Sequence, residues 1–138
     1  MGSERPTFPG IYLTLARSLA QRSTCVVDPV GTVITSIDFR KVLALGYRGN
    51  ASGLANGCDH PGQADCGCLH AEENAVIVCD APRAEPKIVF SSKLPCRACA
   101  KRLVNLGGVQ DLYAPTGEHS GDVLELLSSV GIRVHLIE

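Results

Sequence analysis

The 138-residue sequence predicts an α/β domain: a three-layer αβα sandwich in which a mixed five-stranded sheet carries helices on both faces. Two observations predict it. From residue 70 onward, short apolar runs rich in β-branched residues alternate with segments of helical spacing, the pattern of successive βα units. The first two strands, by contrast, are separated only by a polar turn and must pair as a hairpin. Each later connection is long enough to contain a helix, so the C-terminal strands run parallel.

Residues 10–22 carry Ile11, Leu15 and Leu19 at helical spacing with Ala16 and Ala20 beside them, an amphipathic helix. Strands follow at about 30–37 and 41–46, joined by the polar turn around Asp38, Phe39 and Arg40. Residues 46–69 are rich in Gly, Asn, Asp, Pro and Cys and form no regular element; a loop this long in a small domain is usually functional. The second helix starts near His70 and ends near Cys79, where Asp80, Pro82 and Pro86 break it. Lys87–Ser91 reads as a buried strand, Cys96–Leu106 as a helix opened by Pro95 and stopped by Gly107 and Gly108, and Val109–Tyr113 as the fourth strand. A helix over 121–130 and a strand over 132–137, with Arg133 and His135 pointing outward, complete the order αββαβαβαβ.

The length suits one domain, expected over 10–138 behind a flexible N-terminal stretch, residues 1–9. A 45% hydrophobic share and a 20% charged share are those of a globular protein in water. Net charge is −1, with no basic stripe to bind long nucleic acid. No apolar run spans a membrane, and the first nine residues lack the apolar core of a signal peptide. Seven cysteines, an odd number, then suggest a reduced cytoplasmic chain with metal-bound thiolates rather than a disulfide framework.

Two separated segments carry the chemistry. His70-Ala-Glu72 and Pro95-Cys96-Arg-Ala-Cys99 together give H-x-E…P-C-x-x-C, with 23 residues between Glu72 and Cys96. Cys96, Cys99 and His70 supply three zinc ligands, and three rather than four is the count of a catalytic site with one open position. Glu72 is then a proton-handling carboxylate that does not bind the metal, as in zinc nucleobase deaminases. Both ligand segments fall at helix N-termini, whose partial positive charge favours thiolate. A thioredoxin-like pair would leave His70 and Glu72 without a task. A closed structural site would need a fourth ligand, and Cys68 stands too close to His70 to share one metal easily.

The chain resembles the cytidine/deoxycytidylate deaminase superfamily, and more closely its deoxycytidylate (dCMP) deaminase branch. Arg22-Ser-Thr-Cys25 with Val30-Gly31-Thr-Val is similar to the branch's R-S-T-C…V-G-A-V opening. Gly46-Tyr47-Arg48-Gly49 falls at its G-Y-N-G, with Gly53 as the later glycine. His70-Ala-Glu72-Glu-Asn74-Ala75 resembles H-A-E-x-N-A, and Lys93-Leu-Pro95-Cys96-Arg-Ala-Cys99-Ala-Lys101 resembles S-P-C-x-x-C-A-K. The chain departs from the branch in having Arg48 for the substrate-contacting Asn, in lacking the proline that follows, and in its own cysteine-rich insert before His70.

The resemblance implies zinc-dependent hydrolysis of a cytosine nucleotide, dCMP to dUMP and ammonia, with Glu72 shuttling the protons. A nucleoside or free-base deaminase on the same fold and a structural zinc-binding module are the alternatives. It also implies a second, structural zinc near the long loop, expected from Cys25, Cys58, Cys66 and either His60 or Cys68. Cys79, alone near a helix end, reads as a small buried hydrophobe. Arg48 is a candidate reader of a 5′-phosphate, helped by positive charge at Lys93, Arg97, Lys101 and Arg102. Asn50 and Asn74 are candidates to hold the sugar or the preceding loop. A homo-oligomer, hexamer or dimer, and allosteric control by dCTP and dTTP are further properties of the branch.

Overall fold

The computed structural model describes residues 5–25, 28–63, 66–117 and 121–138. Its elements are α1 (Phe8–Ala20), β1 (Gly31–Ser36), β2 (Val42–Tyr47), α2 (Ala71–Val78), β3 (Lys87–Ser91), α3 (Arg97–Leu106), β4 (Val109–Pro115), α4 (Gly121–Ser129) and β5 (Arg133–Ile137). The order is the expected one, and the boundaries move by a residue or two. The first helix begins at Phe8 rather than residue 10, because Thr7 Oγ1 accepts from Gly10 N (3.1 Å) and Pro9 suits the first turn. Of the N-terminal residues, 1–4 lie outside the described ones.

The strands lie in the order β2-β1-β3-β4-β5. β1 pairs antiparallel with both β2 and β3, whereas β3–β4 and β4–β5 are parallel. This is a mixed sheet with helices packed on both faces, the expected three layers. One face packs on α2, α3 and α4 through Ile34, Val89, Leu103, Leu112 and Leu127. The other packs on α1 through Leu13, Ala16, Val33, Ile88 and Phe90. On that second face Tyr12, Phe90, Tyr113 and His135 stack in succession across the strands. His135 is partly exposed, as expected, yet it is also held: its ring lies 4.5 Å from that of Tyr113, and Nε2 is 2.8 Å from Asp111 Oδ1. Among the described residues no helix is long and apolar enough to cross a membrane.

The apolar run of β3 starts with a charge. Lys87 is completely buried, and its ammonium donates to the carbonyls of Pro82 (2.8 Å), Glu85 (2.9 Å) and Gly107 (2.8 Å). It thereby ties the α2–β3 connection to the end of α3. Chain reversal there needs Gly107 and Gly108 at positive φ, and a Cβ on Gly108 would meet Glu85 O at 2.0 Å. Replacing Lys87 by Met leaves these carbonyls without their donor. The expected cost is about 3 kcal/mol, read as a lower urea midpoint at unchanged slope. An unchanged midpoint would show that the ammonium contributes nothing net.

Candidate active site

Three chain ends converge on one cleft: the N-termini of α2 and α3 and the C-terminal end of β3. His70 caps α2, and its backbone N–H donates to Glu73 Oε1 (2.8 Å), so the imidazole is free to face away from the helix. Its Nδ1 lies 3.2 Å from Cys99 Sγ and 3.6 Å from Cys96 Sγ. Cys96 is the N-cap of α3, with Sγ accepting from Cys99 N (3.5 Å). The three ligand atoms lie within 4.8 Å of one another, a spacing that suits one cation.

The protonation states fit that use. Burial, and then the positive charge of Arg48, hold the His70 imidazole below its ordinary range, so it is neutral and able to bind metal. The helix-terminus expectation of an easily formed thiolate is outweighed at Cys99. Burial, and then the charges of Glu72 and Cys96, push that thiol well above its usual value. A buried sulfur beside a carboxylate ionises readily only when a cation shares the site. Two sulfurs and one imidazole are a zinc-type donor set with a position to spare.

Glu72, in the first turn of α2, is 4% exposed. Ser91 Oγ donates to its Oε2 (3.0 Å), and Thr32 Oγ1 lies 3.3 Å from Ser91 Oγ. Burial raises the Glu72 pKa, although the hydrogen bonds from Ser91 and Cys99 work against the rise. The carboxylate faces a cavity of about 560 Å³ lined also by His70, Cys96, Arg48, Lys93 and Asp28. The composition allows a buried acid–base group, a Lewis acid and an oriented polar wall in one place.

Arg48 is on that wall, 11% exposed. Its Nη1 pairs with Asp28 Oδ2 (3.4 Å), and Lys93 Nζ reaches Asp28 Oδ1 (3.1 Å) from the opposite side. Arg97 also lines the cleft and pairs with Asp122 (3.4 Å). Lys101 and Arg102 do not line it; both border a separate groove between α2 and α3, where Arg102 pairs with Glu73 (3.3 Å). Neither Asn50 nor Asn74 lines the cleft. Asn50 Nδ2 donates to Asp59 Oδ1 (3.1 Å) inside the long loop, and Asn74 Nδ2 donates to Tyr47 O (2.9 Å), tying α2 to the end of β2.

A second group lies behind the cleft. Sγ atoms of Cys25, Cys58, Cys66 and Cys68 are mutually within 4.8 Å, with Cys25–Cys58 and Cys58–Cys68 both at 3.5 Å. Between Cys68 and His60 as the fourth member, the structure selects Cys68. His60 takes part through its backbone, whose N–H donates to Cys66 O (2.9 Å). Arg48 Nη2 lies 3.5 Å from Cys66 Sγ and draws that thiol down to about 6, whereas burial pushes Cys68 far upward. Cys79 packs against the main core and belongs to neither group.

Asp28 and Ser91 are the site residues that sequence reasoning missed. Ser91 had one available signal, a hydroxyl at the end of an apolar strand just before the P-C-x-x-C segment. Asp28 had only its place before a strand, which is no signal of a shared carboxylate.

The model of the cytidine and deoxycytidylate deaminase zinc-binding region matches residues 10–115. Deoxycytidylate deaminase of Mycobacterium phage D29 is 31% identical over 127 residues, covering 80% of this chain and 96% of the phage protein. Deoxycytidylate deaminase of Saccharomyces cerevisiae is 30% identical over 141 residues, and the chain spans 45% of that protein's length. Among solved structures, dCMP deaminase from the cyanophage S-TIM5 in complex with dCMP and dUMP superposes with a TM-score of 0.80 at 25% identity. It covers 97% of this chain and 99% of that one.

The position of α2, and with it His70 and Glu72, depends on a close approach at Gly46. A Cβ there would stand 2.4 Å from Ala71 O and 2.6 Å from Ala75 N. Gly46→Ala is expected to push the helix outward and cost about 2 kcal/mol. Thermal unfolding checks this, and a melting temperature equal to the parent's would show that α2 yields freely.

Proposed function

We propose, from the premise that this chain belongs to the cytidine and deoxycytidylate deaminase family, that it converts deoxycytidylate and water to deoxyuridylate and ammonia. The observation that carries the reading is the buried Glu72 carboxyl, held by Ser91 within one cleft with His70, Cys96 and Cys99. Zinc held by those three ligands would supply a Lewis acid that brings water towards a neutral pKa.

Glu72 does the proton work. Its carboxylate takes one proton from the attacking water and delivers it to N3 of the cytosine ring. It then takes the remaining proton of the hydroxyl added at C4 and gives it to the amine, which leaves as ammonia when the C4–N bond breaks and the C4 carbonyl forms. Burial raises its pKa towards the working range, which suits a group that must both accept and return a proton. Ser91 Oγ donates to Oε2 and so orients the carboxyl. For the substrate's 5′-phosphate, Arg48 and Lys93 are the cations of the cleft wall, although Asp28 pairs with both. That shared carboxylate is the specific reason to keep the nucleoside as the second reading.

Ammonia release from dCMP, dCTP, deoxycytidine, cytosine and guanine tests the proposal. The highest kcat/KM is expected for dCMP. A preference for deoxycytidine would remove the phosphate from the reading, and no release from any of the five would leave a zinc-binding module. Glu72→Ala should retain zinc and lose about 10³-fold in rate. Activity within about tenfold of the parent would remove Glu72 from the proton path.

We further infer a structural zinc on Cys25, Cys58, Cys66 and Cys68, the closed four-thiolate set of non-catalytic sites. Metal content per chain should approach two and fall to one in Cys58→Ser. A value near one in the parent protein removes the second ion.

A further inference from the structure

We propose that Arg48 is the counter-charge of the four-cysteine site, so that an ion held there fixes the cation at the cleft wall. The inference rests on the reading that those cysteines hold a zinc ion. A divalent cation with four thiolates carries net charge −2. Cys25, Cys66 and Cys68 are all buried, and an uncompensated charge there is costly. Among the described residues, Arg48 is the cation hydrogen-bonded to a sulfur of this group, through Nη2 to Cys66 Sγ at 3.5 Å.

Its backbone is pinned on both sides. Arg48 N–H donates to Val30 O (3.0 Å), and its carbonyl accepts from Thr24 N (3.1 Å) and Ser23 Oγ (2.6 Å). The point from which the side chain springs is therefore fixed. One edge of that guanidinium meets sulfur and the other meets Asp28 in the cleft. Among the described residues Nε is buried without a partner, and the contacts to Cys66 and Asp28 are those that orient the guanidinium. A charge-assisted contact of this kind positions a planar guanidinium better than it would a rotatable ammonium. Arg48 is thus a positioning residue for the metal site and, through that site, for the cleft.

The test measures zinc affinity by competition with a chromophoric chelator. Thiolate-to-Co²⁺ absorption in the cobalt-substituted protein distinguishes the four-sulfur site from the His70 site. Arg48→Gln is expected to weaken the four-cysteine site by about 10- to 100-fold, as losses next to a ligand do, and to leave an ion at His70, Cys96 and Cys99. Arg48→Lys, which keeps the charge, is expected to recover most of that loss. Affinity in Arg48→Gln within about twofold of the parent overturns the proposal, and so does an Arg48→Lys variant as weak as Arg48→Gln. Asp28→Asn supplies an independent arm if the variants at 48 do not fold. It removes the competing carboxylate and should tighten the site, and unchanged or weaker binding counts against the proposal. A parent protein with a single metal ion overturns the two-ion reading itself, an outcome distinct from failure of the Arg48 variants.

Discussion

The antiparallel bridge between Gly49 and Leu69 is two hydrogen bonds, Gly49 N to Leu69 O at 3.1 Å and Leu69 N to Gly49 O at 2.8 Å. Three of the functional side chains described above flank its two residues. Arg48 precedes Gly49; Cys68 precedes Leu69, and His70 follows it. A single residue therefore separates a member of the four-cysteine group from a ligand-type residue of the cleft. Two groups that look too close in sequence to share one metal are instead placed by the bridge on either side of a divide. Gly49 itself cannot be larger, since a Cβ would lie 2.4 Å from Thr24 Oγ1, and Thr24 N is in turn bonded to Arg48 O.

Around that bridge the molecule buries charge in three ways. Lys87 donates to the surrounding carbonyls of Pro82, Glu85 and Gly107, and its burial holds connections together. Arg48 is set between anionic partners, Cys66 and Asp28, so its charge is answered locally. Glu72 has hydroxyl and thiol donors, and its burial raises its pKa against them. The first two arrangements stabilise a structure. The third shifts a carboxyl towards its protonated form, a direction that suits an acid–base group.

Much of this was legible in the chain. Element order follows from local periodicity and from Gly and Pro punctuation, both of which act over a few residues. His70, Cys96 and Cys99 were legible because metal-ligand spacing is itself a local signal repeated at two places. What escaped were partners set by tertiary contact. Lys87 begins an apolar run, and nothing in that run shows the carbonyls of Pro82, Glu85 and Gly107 folding over it. His60 and Cys68 are equivalent candidates by residue type, and only the turn that bonds His60 N to Cys66 O separates them. His135 alternates with buried neighbours as an outward residue should, yet Asp111 and Tyr113 on the adjacent strand hold it. Asn50 and Asn74 carry the same amide, and nothing local shows that one meets Asp59 and the other Tyr47 O.

The bridge also closes the base of an excursion that runs from residue 50 to residue 68. Near its far end, Gly53 and Gly57 have open space where a side chain would go, and Leu54 is exposed. Chain added at such a tip lengthens a loop whose ends are already fixed, and the entropic cost grows only with the logarithm of length. The separation between the G-Y-R-G segment and the histidine is thus free to drift among descendants of this sequence. The two hydrogen bonds at the base and the three cysteines of the loop, rather than the residue count between the ends, are what inheritance has to preserve.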